Sequence, residues 1–374
     1  MTFAELRVLS FAACLQALSI LAAGQALGAP QVAEEQLLDV SEPEQSEDIG
    51  FSNGSFVAVP IPFSNPAIGT GLTFGAGYLF RTAPESDKSY LGGAYIRSDN
   101  GSEGYGVGGS LDFVGDLNFS FVLASLGLNY DLTIRGVPIP IEQDGDLFSG
   151  TLGYDVTETN TFGLNYRFLR SDIGLASISG EPPPELLPDT DLNLGSFGLG
   201  YEYDLRDDSD YPTDGVLLGV DANYGFDFDD TSRNYIYSSA KFDVYRSLAS
   251  ESVIGGRATA CATSRDAPFF DKCSIGLIDN FRGFKPLQYY DTSLLSFQAE
   301  FRQRIGSRFG VVAFGGIGWT GSSFASMTDN GERIAGGVGV RYRVTKQFPV
   351  DLSVDFSTNN EDDQFVYVYV GQRF

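Results

Sequence analysis

The stretch VLLGVDANYGFDF, residues 216–228, alternates between two kinds of side chain. Every second residue from Val216 to Phe228 is apolar, and the residues between them include Asp221, Asn223 and Asp227. Successive side chains of a β-strand point to opposite faces, so this segment has one apolar face and one largely polar face. Such a strand is typical of a transmembrane β-barrel, whose outer face contacts lipid and whose inner face contacts water.

The same alternation recurs along much of the chain. In the segment 294–305, Leu295 and Phe297 lie on one face and Glu300 and Arg302 on the other. We predict about sixteen strands, near residues 54–62, 68–81, 89–98, 103–114, 117–131, 146–157, 160–170, 192–204, 215–228, 233–247, 251–263, 292–304, 309–320, 332–344, 349–357 and 364–373. In the strand at 192–204 the apolar residues do not stay on one face, and a β-bulge could account for this.

A soluble β-sandwich would show alternating strands as well, and the connections distinguish the two folds. Short connections are expected near 115–117, 157–160 and 305–308, and they interleave with long ones near 131–145, 171–191, 263–292 and 320–332. Outer-membrane barrels combine short periplasmic turns with long external loops. The segment 364–374 adds a closing strand with an aromatic terminal signal, formed by Tyr367, Tyr369 and Phe374. We therefore predict an all-β fold, a transmembrane antiparallel β-barrel covering residues 51–374.

The first fifty residues have the composition of an export signal followed by a linker. Arg7 precedes an apolar run from Val8 to Leu27, which predicts a signal peptide over 1–29; a membrane anchor is the alternative. Residues 30–50 are acidic and poor in aromatics, which predicts a disordered lead-in. With these boundaries, we expect no folded periplasmic domain between the signal and the first strand.

The composition excludes several classes of function. The formal net charge of -25 disfavours nucleic acid as a partner. The chain has no histidine, which removes Ser-His-Asp and Cys-His catalysis and imidazole-ligated metal sites. Carboxylate pairs could still act among the 49 acidic residues, although solvated surface is the simpler explanation for most of them. We expect a protein that is not an enzyme and that needs no cofactor or metal.

Two cysteines remain after the predicted signal peptide. Cys261 and Cys273 lie at the start of a long external connection. In an oxidising compartment they could form a disulfide that braces this loop; the alternative is a pair of free thiols.

Four stretches in the second half resemble the BamA/TamA superfamily of outer-membrane barrels, the bacterial surface antigen family. DLRDDSDYPTDG at 204–215 is similar to a periplasmic turn of the family, and NFRGF at 280–284 to the Arg-Gly-aromatic motif of its sixth external loop. AEFR at 299–302 resembles the strand that follows, and QFVYVYVGQRF at 364–374 the terminal strand. PIPFSNPAIGTGL at 60–72 is similar to the opening of short members without periplasmic POTRA domains.

The resemblance implies a long sixth loop that folds into the lumen. Its motif here is Phe281, Arg282, Gly283 and Phe284, and Arg282 would pair with a carboxylate of the wall. Glu300 is the expected partner. The family's usual second carboxylate is missing, because Gly316 stands at its place. Asp351 and Asp355 are the candidates to replace it; the alternative is that Glu300 acts alone.

The resemblance implies insertion or translocation of proteins or lipids at the outer membrane of a Gram-negative bacterium. The expected partners are outer-membrane lipid and lipopolysaccharide, client outer-membrane proteins, periplasmic factors and further copies of the chain. Pro60 and Pro62 would weaken the seam between the first and last strands, because proline cannot donate a backbone hydrogen bond. The alternative is a strand end that is simply poor in hydrogen bonds. The alternative function is a passive pore or a structural barrel, with a lumen lined by Arg302, Arg304, Arg333, Arg341 and Arg343.

Overall fold

The computed structural model of the protein describes residues 55–83, 86, 88–134, 136–176, 190–209, 211–343 and 351–373. The predicted signal peptide (1–29), the predicted lead-in (30–50) and Phe374 lie outside these ranges. Within them, no helix is both long and apolar enough to cross a membrane.

The described residues confirm the predicted all-β architecture. Sixteen antiparallel strands close into one barrel, in which each strand pairs with its neighbours along the chain. These are β1 Ser55–Asn65, β2 Gly69–Arg81, β3 Lys88–Ser98, β4 Glu103–Phe113, β5 Leu117–Ile134, β6 Val137–Thr157, β7 Asn160–Leu175, β8 Asp191–Asp204, β9 Gly215–Asp227, β10 Asn234–Ala249, β11 Ser252–Thr263, β14 Ser293–Ile305, β15 Phe309–Gly321, β16 Arg333–Arg343, β17 Asp351–Asn359 and β18 Gln364–Val370. The two remaining strands, β12 Cys273–Ser274 and β13 Tyr290–Asp291, pair with each other within the connection from β11 to β14.

The alternation in the sequence becomes the two faces of the wall. On β14, Phe297 and Phe301 are exposed on the outer face, whereas Gln298, Glu300 and Arg302 are buried inside. An outer surface with so many exposed aromatic and aliphatic side chains suits hydrocarbon and not water.

The two ends of the barrel carry different connections. We call the end that carries the connection 264–292 the loop end, and the connection itself loop 6. The opposite end, which carries the connection 205–214, is the turn end. A buried apolar cluster lies at the loop end, where Phe270, Leu277 and Leu287 of loop 6 pack against the wall. Loop 6 therefore lies inside the barrel and not above it.

The long external connection predicted near 131–145 is wrong. β5 and β6 run through this region and meet at a tight turn around Gly136, which has a φ of 80°. Pro138 and Pro140 do not interrupt the sheet, because both pair with β5 within β6. The alternating residues Leu132 and Ile141 are buried, which explains why the strands continue.

The predicted bulge in 192–204 is also wrong. β8 keeps a continuous register with both β7 and β9. Its parity is unclear because several small residues occupy the strand, including Gly195, Ser196 and Gly198. Within the described strands, shifts of register occur instead between Asp155 and Thr157 and between Ser247 and Ala249.

Candidate functional site

Loop 6 carries the Phe281–Phe284 motif into the middle of the lumen. Phe281, Arg282 and Phe284 are each no more than 2% exposed. Gly283 at the tip has a φ of 116°, a conformation that favours glycine. A Cβ atom at this position would lie 2.4 Å from the Cβ of Ala335 on β16. The tip therefore fits against the wall only because residue 283 has no side chain.

The Arg282 guanidinium bridges two strands of the wall. Its Nη1 lies 2.6 Å from Oδ2 of Asp355 on β17, and its Nη2 forms an ion pair with Glu300 on β14. The guanidinium also stacks over the Phe314 ring, 3.4 Å from the ring centroid. A buried guanidinium needs charged partners that match its planar donors, and these two carboxylates provide them.

Two further arginines complete the network. Arg302 donates from Nε to Oε1 of Glu300 at 2.9 Å, and Arg341 pairs with Asp355 from β16. Each buried carboxylate thus faces two guanidinium groups. The sequence placed Arg302 and Arg341 on the lumen face of the wall, but it did not identify them as partners of Glu300 and Asp355.

Asp351 and Asp355 have different roles in the structure. Asp355 contacts Arg282, whereas Asp351 lies nearer the turn end, where it pairs with Arg304 and lies 3.6 Å from Arg343. The glycine at 316 also has a local reason. A Cβ there would lie 2.7 Å from Cε2 of Phe281, so the loop motif itself occupies the space of the missing carboxylate.

The terminal strand holds the tip of loop 6. The Gly283 N–H donates to Oη of Tyr367 at 2.8 Å, and the Tyr369 hydroxyl donates to Asp355 at 2.7 Å. Asn359 at the end of β17 donates to the Gly283 carbonyl at 2.8 Å. Of the three residues of the predicted terminal signal, Tyr367 and Tyr369 therefore face the lumen, and Phe374 lies outside the described residues.

Loop 6 has a second ionic anchor on the opposite wall. Asp271 pairs with Arg167 of β7, whose Nη1 lies 2.8 Å from Oδ1, and it also accepts from the Tyr235 hydroxyl of β10. The Cys261–Cys273 disulfide joins β11 to the loop near this anchor. Sequence reasoning missed the Arg167–Asp271 pair, because nothing local in the sequence relates residues so far apart.

Loop 6 also contains a buried carboxylate, Asp279, that is bound by backbone N–H groups. Oδ1 of Asp279 accepts from the backbone N–H groups of Gly276, at 2.8 Å, and Phe281, at 3.2 Å. The Asp279 side chain thereby shapes the turn before the motif. Burial raises the pKa of the Asp279 carboxyl above its ordinary range.

The β5–β6 hairpin covers loop 6 from the loop end. Lys285 of the loop lies 3.1 Å from Asp131 of β5, and the Thr133 N–H donates to the Leu287 carbonyl at 3.4 Å. The β5 and β6 strands are long because the inner face of their hairpin packs on loop 6.

The connection 205–214 covers the turn end. The Tyr211 ring lies 4.4 Å from the Arg304 guanidinium carbon and 5.4 Å from that of Arg302. Arg302 also donates from Nη1 to the Pro212 carbonyl at 3.3 Å. The lumen is thus obstructed at both ends.

The seam between β1 and β18 is the weakest junction in the described barrel. Within the described residues, these strands share the single register pair Ser64 and Val368. In contrast, β17 pairs with β18 over Leu352–Thr358, and β1 pairs with β2 over its whole length.

The comparisons with known proteins agree with this geometry. The profile of the Omp85 superfamily domain matches residues 141–374. No curated protein matches the chain by sequence.

Solved barrels share the fold at low sequence identity. BamA from Haemophilus ducreyi, lacking POTRA domains 1–3, is 14% identical with a TM-score of 0.59, over 84% of this chain and 69% of that one. CdiB from Escherichia coli is 14% identical with a TM-score of 0.58, over 84% of this chain and 62% of that one. CdiB from Acinetobacter baumannii is 10% identical with a TM-score of 0.55, over 84% of this chain and 59% of that one. The chain spans less than two thirds of either CdiB.

Members of the matched family are outer-membrane proteins of Gram-negative bacteria. The profile match covers more than half of the sequence, and it confirms the resemblance carried by the four motifs. The chain belongs to the Omp85 superfamily.

Proposed function

We propose that this protein assists the insertion or translocation of proteins or lipids at the outer membrane of a Gram-negative bacterium, and that it acts at the β1–β18 seam. The observation that carries the proposal is the single register pair that joins these strands. A strand edge exposes N–H and C=O groups that can pair with another extended segment. In hydrocarbon such groups are costly when unpaired, so an incoming strand would be bound there.

Because the lumen is obstructed, the β1–β18 seam is a better candidate for the site of action than a channel through the barrel. Arg302, Arg304 and Arg341, which could have lined an aqueous pore, are engaged in ion pairs with Glu300, Asp351 and Asp355. Loop 6 and the connection 205–214 occupy the two ends. A passive pore would require both of these segments to move out of the lumen. We therefore regard a passive pore as the second candidate function.

The partners follow from this proposal. The exposed apolar outer face would contact membrane lipid, and lipopolysaccharide on the outer side. Client barrel proteins would occupy the seam, and separate periplasmic factors would deliver them. The work is non-covalent, because exchanging backbone hydrogen bonds between strands requires no catalytic group.

A reversible lock of the seam tests the proposal. Ser64→Cys with Val368→Cys places two thiols on directly paired residues, at a spacing that suits a disulfide. In proteoliposomes, oxidation should abolish the insertion of a small outer-membrane barrel added as a probe, and reduction should restore it.

The matched control locks a junction that is already fully paired. Val340→Cys with Val354→Cys joins β16 to β17, also at directly paired, lipid-facing residues. Its oxidation should leave insertion unchanged. Full insertion activity of the oxidised Ser64–Val368 lock would refute the proposal.

A further inference from the structure

The backbone of β2 fixes which edge of β1 faces the seam. The Thr70 N–H donates to the Asp99 side chain at 2.9 Å, and the Thr70 carbonyl accepts from the Asp99 N–H at 2.8 Å. Both polar groups of Thr70 thus point away from β1, towards the side of β3. In an antiparallel sheet, both groups of a residue point to one neighbour and those of the next residue point to the other.

This alternation assigns the polar groups of β1. Thr70 pairs in register with Ser64, so Ser64 also directs its N–H and carbonyl away from β2, towards β18. The residues with the same parity as Ser64 are Phe56, Ala58, Pro60 and Pro62. Two successive seam-facing positions are therefore prolines, which have a carbonyl but no N–H.

The prolines coincide with the point where pairing stops. Continuing the register of Ser64 and Val368 would place Pro62 opposite Val370 and Pro60 opposite Gln372. β18 ends at Val370. At Val370 and Gln372 the carbonyl would find no donor on β1, and an unpaired carbonyl in hydrocarbon is unfavourable.

Gly371 is the last described residue whose backbone N–H bonds to β17, because it donates to the Asp351 carbonyl at 2.8 Å. Its φ of 92° then directs the chain into the lumen. The Gln372 side chain donates to Asp351 at 2.9 Å and accepts from Nε of Arg341 at 3.0 Å. Arg257 of β11, paired with Asp243, donates to the Arg373 carbonyl at 3.1 Å.

We infer that Pro60 and Pro62 turn the seam edge of β1 into a surface that accepts backbone hydrogen bonds but donates none between Ala58 and Ser64, and that this keeps the seam from closing permanently. An added strand can donate its N–H groups to this edge, yet two of its carbonyls stay without a donor. The strand is therefore held reversibly. That the added strand belongs to a client protein rests on the proposed function. The effect of the prolines on the pairing of β1 with β18 does not depend on it.

The same pattern disfavours pairing between two copies of β1. Such a contact would place carbonyl acceptors of one copy against donor-poor positions of the other, and prolines on an edge strand are a known protection against edge-to-edge association. The edge is thus suited to a different strand with its full set of N–H groups.

A cross-linking experiment on the full chain tests this inference without any client. Val59→Cys and Arg373→Cys would lie opposite each other only if the register of Ser64 and Val368 continued through the prolines. In a phospholipid bilayer, oxidation should cross-link this pair poorly in the otherwise wild-type chain. With Pro60→Thr and Pro62→Thr added, the cross-linked fraction should rise about tenfold, because two donors return to the edge.

Ala58→Thr is the matched control. It places threonine on the same lipid-facing row of the same edge, where an N–H is already present, and should leave the cross-linked fraction at its starting level. The inference is overturned if the double proline variant cross-links no more than this control, or if the wild-type background already cross-links fully. Because no client is present, these results are independent of whether the protein inserts clients.

Discussion

Arg282 brings a positive charge into a lumen that is filled by protein, and its surroundings determine whether that charge is tolerated. Glu300 and Asp355 contact the guanidinium, and Arg302 and Arg341 contact the same two carboxylates from the outer sides. A network of this kind is stable only when all its members are present, because removal of one charge leaves others buried and unpaired.

Replacement of Arg282 by alanine should therefore be strongly destabilising. We expect Arg282→Ala to lower the free energy of unfolding by about 3–5 kcal/mol, measured by urea unfolding of the barrel in lipid vesicles. Arg246→Ala is the control, because Arg246 pairs with Asp214 at 3.0 Å with a side chain that is 73% exposed. Removal of an exposed pair should cost about 0–1 kcal/mol. Equal losses in the two variants would contradict the network described here.

Asp279 should make the docking of loop 6 depend on pH. Its carboxyl has a raised pKa when the loop is buried, so the docked loop binds a proton more readily than a solvated loop. The contribution of Asp279 to docking is fully present below the ordinary carboxyl pKa of about 4 and is lost as the pH rises through the raised value.

Asp279→Asn should remove this dependence while keeping an oxygen to accept from Gly276 and Phe281. The measurement is protection of residues 264–292 from a protease between about pH 5 and pH 7, where carboxyls of ordinary or lowered pKa stay charged. Protection should decline with rising pH in the wild type and stay level in the variant. Parallel profiles would show that Asp279 does not control docking.

At the scale of elements, the sequence predicts the positions of the strands well, but it predicts only some of the residues that loop 6 contacts. Alternation is a local property, and it located each barrel strand to within a few residues, apart from the extended ends of the β5–β6 hairpin and β7. The predicted loop at 131–145 is wrong, because β5 and β6 continue through this region with Leu132 and Ile141 buried on their inner face. The packing of Phe281 against Gly316 depends on contacts between distant segments, which alternation does not contain.

The Cys261–Cys273 disulfide fixes the start of loop 6 to β11. It joins residues separated by 12 positions, and closing a loop of this size contributes about 3 kcal/mol by restricting the unfolded chain. Reduction should lower the temperature at which the barrel unfolds in detergent. The Cys261→Ser, Cys273→Ser variant should unfold at the lower temperature without reductant, and reductant should not lower it further. A further decrease would show that the disulfide is not the cause of the effect.

At the scale of the whole molecule, the obstruction of both ends makes a prediction about ion flow. Wild-type protein in a planar bilayer should show small, brief conductance. Tyr211→Ala opens only the turn end and should change little, whereas combining it with Arg282→Ala should give larger and longer openings. Large, steady conductance in the wild type would refute the closed lumen and restore the passive pore.

The single register pair at the seam also has a consequence for the folding of the barrel. Ser64 and Val368 are joined across almost the whole length of the chain, so their contact costs more loop-closure entropy than any hairpin contact between neighbouring strands. The contact between Ser64 and Val368 should therefore form last during assembly, after neighbouring strands have paired with each other. By the same reasoning it should open first when the barrel is heated, so that hydrogen exchange in β1 and β18 precedes exchange in the wall opposite.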